Sequence, residues 1–357
     1  SHQLIKDETM KCFMRSIRIL ALVTILFSCK ETNRPDKIIL DRIEYIYNLK
    51  SLIDKNTWPD FSNPKYDVPL VYYTDSCCYV ANPTDNFRHL FNPALVYKNQ
   101  TLSIYKTGLL DSIPFHMATG ITFGDSTSDY NYKVPFMNCS SPELTNKFVP
   151  DVHSTEMWAT MVMHEYFHGF QFKHPQFLDL YKKNVTVSAD TLKALYNNND
   201  WFKKSVDGEN ELLLEALNSD TQAEIQQTMV LFFKLRDQRL KQTKELLNLD
   251  IKTSEQNQET MEGTARYIEY NLYSKFATMQ PDMNLEKSDS LFHSYKYFKN
   301  YTITKDKWLY TAGAKYYYAT GFNIARLLDK LKVDYKSRLF SNRIFLDEIL
   351  REQIEKQ

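Results

Sequence analysis

His164 and His168 stand four residues apart in the run Met161-Val-Met-His-Glu-Tyr-Phe-His-Gly-Phe170. On a helix of about 3.6 residues per turn that spacing puts both imidazoles on one face. Two histidines so placed can share one Zn2+, with the intervening Glu165 beside the attacking water. The flanking residues Met161, Val162, Met163, Tyr166, Phe167, Gly169 and Phe170 carry no charge, as a buried catalytic helix requires. A buried helix carrying two histidines and a glutamate, with no cation to engage them, would need another partner for each polar group. The pattern therefore points to zinc held by His164 and His168, with Glu165 as general base.

A catalytic zinc keeps three protein ligands and one open position, so a third ligand is required. The extended metzincin pattern would supply a histidine shortly downstream. His174 is available, but position 171 is Gln where that pattern has glycine. A better candidate lies in Met261-Glu-Gly-Thr-Ala-Arg-Tyr-Ile-Glu-Tyr270. This stretch resembles the E-G-x-A-x-Y-hydrophobic-E-Y helix of aminopeptidase N-like enzymes. With H-E-x-x-H it resembles the wider gluzincin superfamily of metallopeptidases, which includes the thermolysin-like enzymes. The resemblance implies Glu262 as the third zinc ligand, a zincin-like helical domain, and hydrolysis of a peptide or protein substrate. It also implies a downstream Tyr or His as oxyanion donor. Tyr310, in Trp308-Leu-Tyr-Thr-Ala-Gly-Ala314, is the first choice and Tyr317 the second, out of 24 tyrosines. Small Gly263 and Ala265 would let the two metal helices approach closely.

The departures from that family are specific. Ninety-three residues (169–261) separate His168 from Glu262, which reads as inserted helices able to wall the cleft. Arg266 stands four after Glu262, where thermolysin-like enzymes carry an aspartate that orients a zinc histidine. Glu269, Asp151 or a backbone carbonyl must then take that role. The run His116–Phe123 matches the edge-strand position of the aminopeptidase N family but lacks its amine-binding glutamate. The resemblance thus supports a peptidase and not an aminopeptidase. Two other readings share the same ligands: a zinc hydrolase of a non-peptide bond, and a non-catalytic zinc scaffold, against which the intact Glu165 speaks.

The elements that must position these residues are mostly helical. Only 8 of 357 residues are glycine, which argues against a many-turned β protein. Apolar residues at Ile39, Ile43, Ile46, Leu49 and Ile53 mark an amphipathic helix closed by Trp58-Pro59. Short β-type runs follow at Val68–Tyr73, Cys78–Val80, Leu102–Tyr105 and Ala118–Phe123, separated by turn residues. Helical texture then runs through the motif helix, capped by Ser154, and through Ser188–Tyr196, Glu209–Leu217, Thr221–Leu246, Ser254–Phe276, Tyr310–Lys330 and Ile344–Ile354. The expected architecture is α+β and mostly helical. Residues 38–150 supply a helix and a small mixed sheet, and residues 151–357 the helical zinc-binding part.

Residues 1–29 read as a targeting segment. Lys11, Arg15 and Arg18 form a positive region at the start of the apolar stretch Ile17–Phe27, which ends at Ser28-Cys29 and the polar 30–37. This resembles a bacterial lipoprotein signal, implying a lipid on Cys29 and attachment to a membrane of the cell envelope outside the cytoplasm. Cys139 could pair with Cys77 or Cys78 in that oxidising compartment. Lys+Arg and Asp+Glu both number 44, which gives no reason to expect a nucleic-acid partner. A monomer is expected.

Overall fold

The computed structural model describes residues 35–120, 135–311, 313 and 315–355. The targeting segment with Cys29, most of the polar linker, and Ile121–Phe123 of the last β-type run lie outside the described residues. From Lys37 onward the chain forms one compact unit. Among the described residues no helix is long and apolar enough to cross a membrane.

Helix α1 (Lys37–Asn56) buries Ile39, Ile43, Ile46, Leu49 and Ile53, the stripe its periodicity predicts. Among the described residues the six strands are β1 (Leu70–Tyr73), β2 (Cys78–Ala81), β3 (Ala94–Lys98), β4 (Ser103–Thr107), β5 (Met117–Gly120) and β6 (Phe136–Ser140). Their order is β3-β4-β2-β1-β6-β5. β1 and β6 run parallel and the other pairs antiparallel, so the sheet is mixed. Tyr72, Tyr79 and Cys139 face the main helical core. Val71, Tyr73, Cys78 and Val80 face the other side, under Phe87 of α2 (Asp85–Phe91). With both faces covered, β1 and β2 read as continuous apolar runs rather than as an alternation.

This arrangement excludes a bond between Cys78 and Cys139. Cys78 sits opposite Tyr73 and Cys139 opposite Tyr72, so β1 lies between them and their side chains leave by opposite faces. Two strand spacings place their backbones about 9–10 Å apart, beyond disulfide reach. Cys77, Cys78 and Cys139 are all free thiols.

After α3 (Pro142–Phe148) comes the motif helix α4 (Thr155–Phe172). Ser154 caps it, its hydroxyl accepting from the Met157 N–H at 3.2 Å. It packs against β5 and β6 on one side and α10 (Thr264–Phe276) on another. Trp158, Val162, Met163, Phe167 and Phe170 are all buried, which is why the helix is apolar on nearly every face. Between the motif helix and α10 run α5 (Pro175–Asn184), α6 (Ala189–Asn198), α7 (Asp200–Asn218), α8 (Gln222–Leu247) and α9 (Lys252–Gln258).

The intervening helices brace the site from behind. The apolar face of α8 carries two arginines that enter the core. Arg236 forks onto Glu259 at 2.6 and 2.8 Å and reaches Glu209 at 3.0 Å. Arg239 forks onto Glu255 at 2.8 Å and onto Glu209. Glu255 and Glu259 lie two turns and one turn before Glu262. Burial pushes Glu259 up to about 7 against the pull of Arg236. A buried network of this kind fixes a unique arrangement because every broken pair strands a charge.

A π-helical turn, Glu259–Gly263, joins α9 to α10 and carries Glu262. After the short α11 (Met283–Ser288), α12 (Tyr316–Lys330) crosses this turn. A Cβ on Gly321 would stand 2.2 Å from the Glu259 carbonyl oxygen, and one on Gly263 2.4 Å from Gly321. The close approach expected at Gly263 therefore exists, but its partner is α12 and not the motif helix. α12 also starts later than its sequence predicts. Gly313, at φ +74°, turns the chain before Lys315, so Tyr310 precedes the helix instead of opening it. The short α13 (Lys336–Leu339) and α14 (Leu346–Glu355) close the fold.

Candidate metal centre

The motif helix and the π-turn bring His164, His168 and Glu262 together. One ligand atom from each lies within 4.8 Å of the others. Glu262 Oε2 stands 3.2 Å from His164 Nε2 and 3.3 Å from His168 Nε2. A tetrahedral site with bonds near 2.0–2.1 Å has ligand–ligand edges of roughly 3.3 Å. The donor set, two imidazoles and a carboxylate, suits zinc. His164 and His168 are 8% and 7% exposed, so the three groups meet in a largely dry interior.

The far nitrogens of both rings are already engaged. His164 Nδ1 donates to Glu269, one of the three acceptors expected for that role. His168 Nδ1 donates to Gln171 Oε1 at 2.8 Å. Gln171 Nε2 in turn donates to the Met261 carbonyl at 3.0 Å and to Thr264 Oγ1 at 2.9 Å. Those donor contacts fix the amide orientation, and the amide fixes the imidazole tautomer. Both Nε2 atoms are thereby turned toward Glu262, where a cation would take their lone pairs. Gln171 also ties the motif helix to the helix of Glu262. It was missed in the sequence because position 171 was read only as a missing glycine.

The electrostatics of the three groups are strongly coupled. Burial lowers the pKa of His164, but Glu269 and Glu262 outweigh it and hold the ring well above its ordinary value. Burial acts in the same sense on His168, and Glu262 again reverses it. Burial raises Glu262, yet the two histidines bring it well below the usual carboxylate range. Glu262 is thereby held ionised, as a bound cation would require, while the histidines are held protonated against it, and a cation binding there would displace those protons from Nε2.

Glu165 is part-exposed and opens into an adjoining cavity of about 280 Å³. Met161, His164, Arg266, Glu269, Trp308 and Tyr318 line it with Glu165. None of these comes from the residues between His168 and Glu262, so that insert braces the site and does not wall the described cavity. Thr119 of β5 donates to the Glu165 carbonyl, which pins the edge strand alongside the motif helix.

The other sequence candidates fall elsewhere. Tyr310 is 51% exposed and does not line the cavity. Tyr317 is buried in a separate apolar cluster with Tyr196 and Ile251. The tyrosine that reaches the site is Tyr318, whose ring stacks 6.1 Å from that of His164. Burial first, and Glu262 next, push its phenol far above the ordinary value, which keeps it a proton donor. His174 is stacked on Tyr66 at 3.9 Å and bonded to the Phe170 carbonyl at 2.8 Å, away from the triad. Asp151 is exposed, its carbonyl taken by His153.

Replacing Glu269 by Gln keeps the shape and removes the charge that orients His164. Zinc affinity is expected to fall about 10–100-fold, read by competition with a chromogenic chelator. His174→Ala, outside the triad, is expected to leave that affinity unchanged in the same titration. In comparisons with known proteins, the chain matches no family model, no curated protein and no solved structure, and its site is defined by this geometry alone.

Proposed function

We propose that the chain is a zinc-dependent peptidase whose metal is held by His164, His168 and Glu262. The observation that carries this reading is the convergence of three ligand atoms within 4.8 Å, with Glu165 opening beside them into a cavity. A zinc held by His164, His168 and Glu262 would supply a Lewis acid for the scissile carbonyl and for the attacking water. Glu165 takes that water's proton and passes it to the leaving amine. Tyr318, in place of Tyr310, donates its hydroxyl to the oxyanion. Among the described residues β5 is the edge strand of the sheet, beside the motif helix, and an extended substrate would add to it by main-chain hydrogen bonds. The reading includes residues 1–29 as a lipoprotein signal. The enzyme would then work as a monomer in the cell envelope, tethered through Cys29.

The test is zinc content by mass spectrometry, then cleavage of an unbiased peptide library with and without chelator. One zinc per chain and chelator-sensitive cleavage are expected. Protein without stoichiometric zinc, or cleavage indifferent to both chelator and His164→Ala, would sink the proposal. Stoichiometric zinc with cleavage only of non-peptide bonds would redirect it to another hydrolase class.

A further inference from the structure

One wall of the catalytic cavity carries an unmatched charge. Arg266 lines it beside His164 and Glu165. Its guanidinium stands 5.7 Å from the Trp308 ring centroid and 5.0 Å from that of Tyr318. Among the described residues it makes no hydrogen bond or ion pair, and the nearby carboxylates are engaged elsewhere. Glu269 is taken by His164 and Glu262 by both metal histidines. Asp306 accepts from the Tyr301 hydroxyl and the Trp308 N–H. The buried arginines Arg42, Arg236 and Arg239, by contrast, each fork onto carboxylates.

An arginine keeps its charge at any physiological pH and offers five N–H donors in a planar fork. Burial disfavours that charge, and Glu269 only partly restores it. The two aromatic faces offset part of the cost but accept none of the N–H groups conventionally. Such a group on a cavity wall is matched when a ligand brings an acceptor. The surrounding Glu165, Glu262, Glu269 and Asp306 disfavour a doubly charged anion and favour a single carboxylate, whose two oxygens fit the fork.

We propose that Arg266 binds a substrate carboxylate lying within one residue of the bond to be cleaved. This rests on the peptidase reading. A cavity of about 280 Å³ is at the small end of ligand sites and suits one residue beside the scissile bond. The carboxylate is either the C-terminal α-carboxylate of a peptide or the side chain of Asp or Glu.

Binding, separated from turnover, tests this. Zinc-loaded protein carrying Glu165→Gln is titrated calorimetrically with four blocked alanine tripeptides: free acid, C-terminal amide, and amides with an internal Glu or Gln. One acid is expected to bind about 10–100-fold more tightly than its neutral counterpart. Free acid over amide identifies the terminal carboxylate, and Glu over Gln the side chain. Adding Arg266→Gln should bring the ratio near one with zinc content unchanged, and Arg266→Lys should restore part of it. Equal binding of acid and neutral pairs overturns the assignment. So does a ratio that survives Arg266→Gln, which would make Arg266 a packing residue. If Arg266→Gln fails to fold, the acid-to-neutral ratio with Arg266 in place decides alone. Cleavage of the same peptides by the unsubstituted protein is scored separately. Retained acid preference without cleavage fails the peptidase reading only, and cleavage without acid preference fails the carboxylate assignment only.

Discussion

Glu165→Gln is expected to leave zinc bound and to lower peptide hydrolysis by about 10²–10⁴-fold, the usual contribution of a positioned acid–base group. The amide keeps the size and helical setting of the carboxylate but cannot take a proton. His164 and His168 are oriented by Glu269 and Gln171, and Glu262 meets the two histidines, so the candidate site should stay intact. The effect should fall on kcat more than on KM, since the proton moves only in the transition state. Steady-state rates on any peptide selected from the library, with metal content measured on the same sample, check it. Full hydrolysis by the variant would remove Glu165 from the mechanism. Loss of zinc would instead give Glu165 a part in holding the site.

What the sequence made legible, and what it hid, follows from how far each signal reaches along the chain. H-E-x-x-H is a local pattern: one helix turn sets the geometry of His164 and His168, and Ser154 marks the start of that helix. The expected mixed sheet and mostly helical remainder are present in the structure. Glu262, 94 residues from His168, came only through a family resemblance, because nothing local to it says which helix it will face. Gln171 and Tyr318 were illegible for the same reason. Each matters only through contacts made across the fold, to Met261 and Thr264 in one case and to His164 in the other. β6 was missed because Phe136-Met-Asn-Cys-Ser140 alternates weakly, yet as the parallel neighbour of β1 it is a central strand. Nothing local to Arg236 and Arg239 marks these charged residues as buried. Glu209, Glu255 and Glu259, which draw them inside, sit on α7, on α9 and on the π-helical turn.

The geometry of Glu262 depends on a contact that no metal ligand makes. Gly321 of α12 lies so close to the π-turn that an added Cβ would stand 2.2 Å from the Glu259 carbonyl oxygen and 2.9 Å from its Cα. The obstruction is backbone, which cannot rotate aside as a side chain can. Gly321→Ala must therefore push α12 away from the turn or unwind the turn itself. α12 carries Tyr318 one turn before Gly321, and the turn carries Glu262, so either movement separates a ligand from the cavity wall. Thr320 would be pulled from Glu259, which it meets at 2.6 Å. A loss of about 3 kcal/mol of folding stability is expected, the upper end for overpacking, with zinc affinity lowered at least about 10-fold. Gly108→Ala is the matched control. No atom lies within 4 Å of its Cβ position, so it should be neutral or slightly stabilising through the unfolded chain. Thermal melts in chelator isolate the folding term, and repeating them with added zinc isolates the binding term. If Gly321→Ala melted with the parent under both conditions, the crossing would not position Glu262. A drop confined to the zinc-loaded melt would show the turn moving while the rest of the helical core absorbs the change.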